Sequence, residues 1–492
     1  MPKQPLRYQR AGTPVSIAEL VQLAPLPDGE VVAEAHFGPA EGDRFTCDII
    51  LRDQDGSPLL LARGVAAELR EVELEAAGGD APAFEVKAEY VDPEQWPGYR
   101  DISMRLQMVE AMGLKNPYFD LHEGTARDTS VVDGREVINF SSYNYLGYSG
   151  DKRVLDEVSA SIYQYGTSVS ASRVASGERP FHRELEAALA AANDCEDALV
   201  YSGGHATNVN TIGHLFGPRD LILHDELIHD SCLQGIKLSG AARRAFRHEE
   251  PAHLEEQLRQ LRPHYEKVLI LIEGVYSMDG DVASLPRYVE LKRKYGCLLM
   301  VDEAHSFGTI GATGRGIREH FGLKGSDADI WMGTMSKSLA SMGGWVSGSK
   351  ALITYLRYTA PGFVFAAGIP PALGVAALAS LRLMTQEPER VAKLQSNAKF
   401  FYEQLRSHGL DTGPAAGESP VIPVVTGDSM QALQLSEQLL DRGINAKPII
   451  YPAVADDAAR LRFFLSSTHS EEQLAHTAQT IAETLAQIRG QR

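Results

Sequence analysis

The sequence predicts an α/β architecture: a large domain built on a parallel sheet wrapped by helices, a small α+β lobe after it, and a small β-rich region in front. Three observations carry this. Between about Gly150 and Thr385, short apolar runs (DALVYSG, VLILIEG, CLLMVDE, DIWMGT) alternate with helical stretches (HRELEAALAAAN, HLEEQLRQLR, LPRYVELKRKYG). The runs lack polar alternation, as strands covered on both faces do. After residue 385 the order is helix, strand, helix, strand, helix, and before residue 95 apolar and polar residues alternate as in an antiparallel sheet.

In chain order, residues 1–95 form the β-rich region, where EVVAEAHF, DRFTCDIILRD and PLLLARGVAAELREVEL read as strands with a hairpin at Asp53 to Ser57. EAAGGDAPAF and DPEQWPGY, rich in Gly, Ala, Pro and acids, form a linker. Within 96–135, Ile102, Met104, Leu106, Met108, Val109 and Met112 make an amphipathic helix over Arg100 to Met112. The large domain is assigned to 136–385, entered through a hairpin in VVDGREVINF and an irregular aromatic segment, SSYNYLG. The small lobe is assigned to 386–492, with helices at Glu389 to His408, SMQALQLSEQLLDRG and SEEQLAHTAQTIAETLAQI and strands at VIPVVTG and LRFFLSS.

Bulk properties exclude several classes. A chain of 492 residues is too long for one ordinary core. A formal net charge of -18 speaks against a nucleic-acid partner, which demands a basic face. Cys47, Cys195, Cys232 and Cys297 lie far apart with no CxxC pair, so neither a zinc site nor a disulfide framework is expected. No apolar run is long enough to span a membrane, and MPKQPLRYQRAG lacks the apolar core of a signal peptide; a cytoplasmic enzyme is expected.

The chemistry gathers between Leu298 and Gly348. The run Leu298 to Val301 breaks at Asp302, and His305 follows three residues later, at the strand end where α/β sheets place ligands. A second apolar step, Ile330 to Met332, leads through Gly333, Thr334, Met335 and Ser336 to Lys337. A partly desolvated lysine loses its proton and attacks a carbonyl. Together these groups suit pyridoxal phosphate (PLP), which needs a Schiff-base lysine, an acid at its pyridine nitrogen and donors at its phosphate. DEAH also marks ATPase motors, but no GxxxxGK[ST] loop precedes it. Gly204 and His205, in SGGHATN, offer backbone amides at a helix start, where the dipole favours an anion.

EGVYSMDGD (Glu273 to Asp281), VDEAHSFG (Val301 to Gly308) and GTMSKS (Gly333 to Ser338) match, in order, motifs of the α-oxoamine synthases. The chain from roughly Asn116 onward resembles this family of PLP enzymes, which includes serine palmitoyltransferase, 5-aminolevulinate synthase and 8-amino-7-oxononanoate synthase. The resemblance implies PLP-dependent fold type I and a homodimer with active sites at the subunit interface. It implies that Lys337 holds PLP and moves the substrate's Cα proton, that Asp302 faces the pyridine nitrogen, and that His305 bonds the ring's 3'-oxygen. His229, in DELIHDSCLQG, covers the ring face; Gly204, His205 and Thr334 hold the phosphate; Glu273 and Ser277 lie near the ring. Arg462, in AARLRFFLSSTHS, grips the amino-acid carboxylate, with Arg460 as its competitor. Asn144, in NYLG, reaches the site from the other subunit. One departure stands out: Ala366 and Ala367 in FVFAAG replace the Ser or Thr with which relatives reach the partner's phosphate.

The family reaction is a decarboxylative condensation of an amino acid with an acyl thioester, giving an α-amino ketone. KSLASMGG is closer to the serine palmitoyltransferase style than to the KAxG forms, which favours serine, then alanine or glycine. GDRFTCDIILRDQDGSPLLLARGVAAELR resembles the C-terminal part of a polyketide-synthase dehydratase, without a His and Asp pair for dehydration, so a structural or docking remnant is expected. This points to a polyketide chain on an acyl carrier protein. The chain has no Asp-Ser-Leu carrier site, so the carrier acts in trans. An acyl-CoA-using sphingoid-base enzyme, an aminotransferase and a non-catalytic partner are the alternatives.

Overall fold

The computed structural model describes residues 86–490 and, before them, the course of five strands: β1 (Arg10–Ser16), β2 (Glu19–Gln22), β3 (Val32–Glu41), β4 (Arg44–Arg52) and β5 (Pro58–Glu71). These make one antiparallel sheet in the order β1-β5-β4-β3, with β2 also paired to β5. The expected hairpin at Asp53 to Ser57 and the EAAGGDAPAF linker lie outside the described residues. The chain divides into two compact units, Met1–Arg105 with Ala242–Arg244, and Leu106–Ala241 with Ala245–Arg492. The helix expected from Arg100 begins earlier, at Pro97, and runs to Ala111. Proline suits a first helical turn because its missing N–H has no partner there in any case.

The second unit opens with β6 (His122–Glu123), β7 (Thr129–Val132) and β8 (Arg135–Asn139). The turn between β7 and β8 is Asp133-Gly134, both at positive φ (49° and 73°), as a two-residue hairpin requires.

The large sheet has seven strands: β9 (Asp197–Tyr201), β10 (Leu221–Asp225), β11 (Ala242–Phe246), β12 (Val268–Glu273), β13 (Leu298–Asp302), β14 (Ile330–Thr334) and β15 (Gly344–Gly348). Their order is β11-β10-β12-β13-β14-β15-β9. Every residue of β10, β12 and β14 is buried, which is why VLILIE and IWMGT read as unbroken apolar runs. The sheet is mixed rather than purely parallel: β10, β12, β13 and β14 run parallel, but β15 is antiparallel to both β14 and β9. The reason is the link Met335 to Gly343, shorter than the dozen or so residues that a parallel crossover needs, so the chain must turn straight back. That link carries Lys337.

In the small lobe, β16 (Val421–Val425), β18 (Lys447–Ile449) and β19 (Arg460–Phe464) form an antiparallel sheet with β19 central, while β17 (Ile444–Asn445) pairs with β8 instead. Helices Pro388–Ser407 and Glu471–Gly490 cover this lobe. One apolar core joins it to the large sheet. At its centre Phe140 stacks on Phe401 (5.6 Å) and meets Phe463 edge-on (5.3 Å).

Candidate active site

Glu273 and Asp302, the last residues of β12 and β13, stand level with Met332 of β14. A cavity of about 290 Å³ opens there, and every candidate site residue except Asn144 and the competitor Arg460 lines it. Asp302, buried at the end of β13, accepts the Asn208 amide on Oδ2 (2.7 Å) and the Ala304 N–H on Oδ1 (2.9 Å). Glu273 is its buried neighbour. Loss of water, then the charge of Asp302, pushes the Glu273 carboxyl well above the usual range.

Lys337 enters from the β14–β15 link, which turns at Ala340 (φ 49°) and Gly343 (φ 131°). Its amine is pushed down to about 8, first by loss of water, with Asp302 and Glu273 opposing and Arg462 adding to the fall. The Tyr143 ring lies 5.6 Å from its Nζ.

His229 is the N-cap of the helix Asp230–Ser239: its Nδ1 accepts the Ser231 N–H (3.2 Å) and meets the Ser231 hydroxyl (2.7 Å). Asn208 donates one amide hydrogen to Ser231 Oγ (3.0 Å) and the other to Asp302. This chain of bonds leaves Nε2 of His229 as the nitrogen that carries the proton. His305 is fixed the same way. Its ring stacks on Phe464 (6.1 Å, 11°) and its Nδ1 lies 2.8 Å from the Tyr145 hydroxyl. Burial, then the charges of Lys337 and Arg462, holds its pKa well below the usual value, while burial keeps Tyr145 a phenol. The phenol and Nδ1 share one hydrogen bond, and the His305 ring lines the cavity.

The helix Gly204–Leu215 starts beside Thr334, with Gly203 as an N-cap that supplies no side-chain bond to its first turn. Thr334 and Ser336 bring their hydroxyls within 2.7 Å of each other at the same spot. A Cβ on Gly204 would stand 2.6 Å from Thr334 Oγ1, so only glycine lets the helix start come this close. Arg462 comes from β19: Nη1 donates to Ser277 O (2.7 Å), the guanidinium lies over the Phe464 ring (4.5 Å), and the buried Nε has no partner. Arg460 points elsewhere, to Asp279, Met278 O and Ala458 O.

Asn144 does not line this cavity, although it borders a neighbouring one with Ser336 and Lys337. Its amide donates to Ala126 O (3.2 Å) and Ser149 O (3.4 Å), and its Oδ1 accepts the Ser149 N–H (3.1 Å). Ala366 and Ala367 are not among the cavity's lining, and Ala367 bridges to Ser172. Sequence reasoning missed Tyr143, Tyr145, Asn208 and Ser231. Asn208 lies one helical turn after Gly204, the spacing that would have pointed to it.

The family described as aminotransferase class I and II matches residues 135–481. The 8-amino-7-oxononanoate synthase of Symbiobacterium thermophilum is 39% identical over 75% of this chain and 93% of its own. The serine palmitoyltransferase of Sphingomonas wittichii superposes with a TM-score of 0.77 at 30% identity, over 82% of this chain and 99% of that one. A structure of SPT with PLP superposes with a TM-score of 0.77 at 28% identity, over 80% and 98%. The chain belongs to the class I and II aminotransferases, among the α-oxoamine synthases.

The synthase has fold type I, and its cofactor is PLP. The cavity fits that group: a buried carboxylate, a lysine of lowered basicity, and two hydroxyls at an uncapped helix start are the partners that a pyridine nitrogen, an aldehyde and a phosphate need. Asn208 Oδ1 and Glu273 Oε1 are buried without a partner in the protein, so a ligand completes the polar lining.

Proposed function

We propose that the synthase condenses an amino acid, serine first and alanine or glycine next, with an acyl thioester, and releases the free thiol, CO2 and an α-amino ketone. The observation that carries this reading is Lys337 and Arg462 in one cavity: an amine whose pKa is lowered to about 8 and a guanidinium whose planar fork suits a carboxylate. Bound PLP supplies an electron sink for the substrate's Cα. Lys337 holds the cofactor between turnovers and, once released, takes the Cα proton, a task for which a pKa near 8 is well matched. Asp302, fixed by Asn208, keeps a proton at the pyridine nitrogen. Gly204, His205 and Thr334 take the phosphate. His305 would bond the 3'-oxygen, and His229 would cover the ring face beside the substrate. Arg462 turns the carboxylate toward the bond that breaks, with Glu273 and Ser277 forming the wall beside it.

KSLASMGG supports serine, whereas the relatives' names point two ways, to 8-amino-7-oxononanoate synthase by sequence and to serine palmitoyltransferase by structure. The dehydratase-like sequence of the first 95 residues supports an acyl chain delivered by a carrier protein in a polyketide assembly line, and the family resemblance supports a cytoplasmic homodimer in which Asn144 faces the partner's site. The test is a visible-absorbance titration of the PLP-loaded protein with serine, alanine and glycine, followed by an acyl-CoA or an acyl carrier protein. A saturable shift with one amino acid, and CO2 release matched by free thiol only when the thioester is added, is the expected result. Conversion of the cofactor to pyridoxamine phosphate without thioester would mean aminotransfer instead.

A further inference from the structure

Outside the cavity, His248 joins two loops that carry cavity residues. It follows β11, in the turn before the helix Pro251–Leu261. Its Nδ1 lies 3.0 Å from Asp225 Oδ1, at the end of β10, and its Nε2 lies 2.9 Å from Asp281 Oδ2. Asp225 is fully buried and also accepts the N–H groups of Leu227 (2.9 Å) and Glu249 (3.1 Å), which fixes the turn that leads to His229 four residues on. Asp281 closes the loop that starts at Glu273 and carries Ser277: the Tyr276 N–H donates to Asp281 O (3.1 Å). The far side of this loop belongs to the small lobe, through Arg462 on Ser277 O, Arg460 on Asp279, and Ser419 Oγ on Gly280 O (2.6 Å). The large-domain side is held by His248, with the Tyr276 ring edge-on to it at 4.5 Å.

We propose that His248 is a positioning residue, which bridges Asp225 and Asp281 through both ring nitrogens and so sets His229 and the Ser277–Arg462 pair across the cavity for the amino-acid substrate. This rests on the reading of Arg462 as the carboxylate's partner. The groups that face the imidazole are acidic or aromatic: Asp225 from β10, Glu226 on its backbone N–H, Asp281 and Tyr276 from the loop, and Glu249 beside it. Burial lowers its basicity, but the two bonded carboxylates outweigh this and raise its pKa to about 10. Both nitrogens therefore carry protons, and both bonds hold, below that value.

The test uses PLP-loaded wild-type protein, His248→Gln and Asp281→Asn, with PLP content, visible circular dichroism and affinity for serine, alanine and glycine as readouts. His248→Gln is expected to keep its PLP, change the dichroism, and bind the amino acid about tenfold more weakly. Asp281→Asn, an isosteric change at a mostly covered side chain, carries the test if His248→Gln fails to fold. With one carboxylate gone the imidazole pKa drops, so the ratio of variant to wild-type amino-acid affinity should fall as pH rises between about 6 and 9. Wild-type affinity in both variants, or an Asp281→Asn to wild-type affinity ratio that is flat in pH, overturns the clamp. A wild-type protein that binds none of the three amino acids overturns the functional reading, and the clamp with it.

Discussion

Lys337 is set apart from the chain's other lysines by what surrounds it rather than by its sequence neighbours. Its pKa of about 8 is a loss of charge stabilisation, and the sign decides the pH dependence: the neutral, nucleophilic amine prevails above about 8 instead of above the ordinary lysine value. Capture of PLP by the cofactor-free protein should therefore speed up as pH rises and level off at about 8. Stopped-flow absorbance over a pH series checks this, and a rate still climbing at pH 10 would contradict the assigned environment. In Lys337→Ala the covalently linked cofactor band should be missing while reversible PLP binding persists. Arg462 gives a second residue-scale expectation. A charge-assisted pair contributes about 1.5–3 kcal/mol, so Arg462→Ala should weaken amino-acid binding about ten- to a hundredfold and leave PLP affinity close to wild type. Parallel titrations with both ligands separate that outcome from misfolding, in which both affinities fall together.

At the scale of elements, the phosphate end of the site depends on how closely the helix Gly204–Leu215 approaches β14. In Gly204→Ala the new methyl would meet Thr334 Oγ1 at 2.6 Å and Thr334 Cβ at 2.9 Å, so helix and strand must part. Overpacking of this kind costs about 1–3 kcal/mol, and PLP affinity by equilibrium dialysis should drop about tenfold or more with the fold retained. Such close approaches were not legible in the sequence, whereas the strands beneath them were. β12, β13 and β14 announce themselves because a doubly covered strand must be apolar throughout. β11 was missed because ARRAF is an edge strand whose arginines break the apolar pattern. β15 was missed because GWVSG, bounded by glycines, reads as a turn. Its antiparallel course depends on a short link, which no periodicity reports. The same division holds within the site. Asp302 and Lys337 were readable as polar residues that end apolar runs, and His229 from its motif. Asn208, Ser231 and Tyr145 act through bonds between elements far apart in sequence, so they become visible only once the helices are packed on the sheet. Asn144, read as a group reaching the other subunit, spends its amide on its own chain's backbone.

For the molecule as a whole, the question is what the first hundred or so residues contribute. The family match begins at residue 135, and the residues that line the cavity run from Tyr143 to Arg462. The hydrogen bonds that fix Asp302, His229, His305 and Arg462 are all made between residues of that span. Removing everything before Asn116 deletes no side chain of the site and none of these bonds. The shortened chain should thus keep stoichiometric PLP and the wild-type affinity for its amino acid, both measurable by absorbance. If the N-terminal region is a docking remnant, the loss should fall on the second substrate alone: turnover with a carrier-bound acyl chain should decrease while turnover with the matching acyl-CoA is unchanged. A shortened chain that cannot hold PLP would instead make the antiparallel sheet part of the catalytic fold. The site's chemistry would then depend on a region that the family match does not reach.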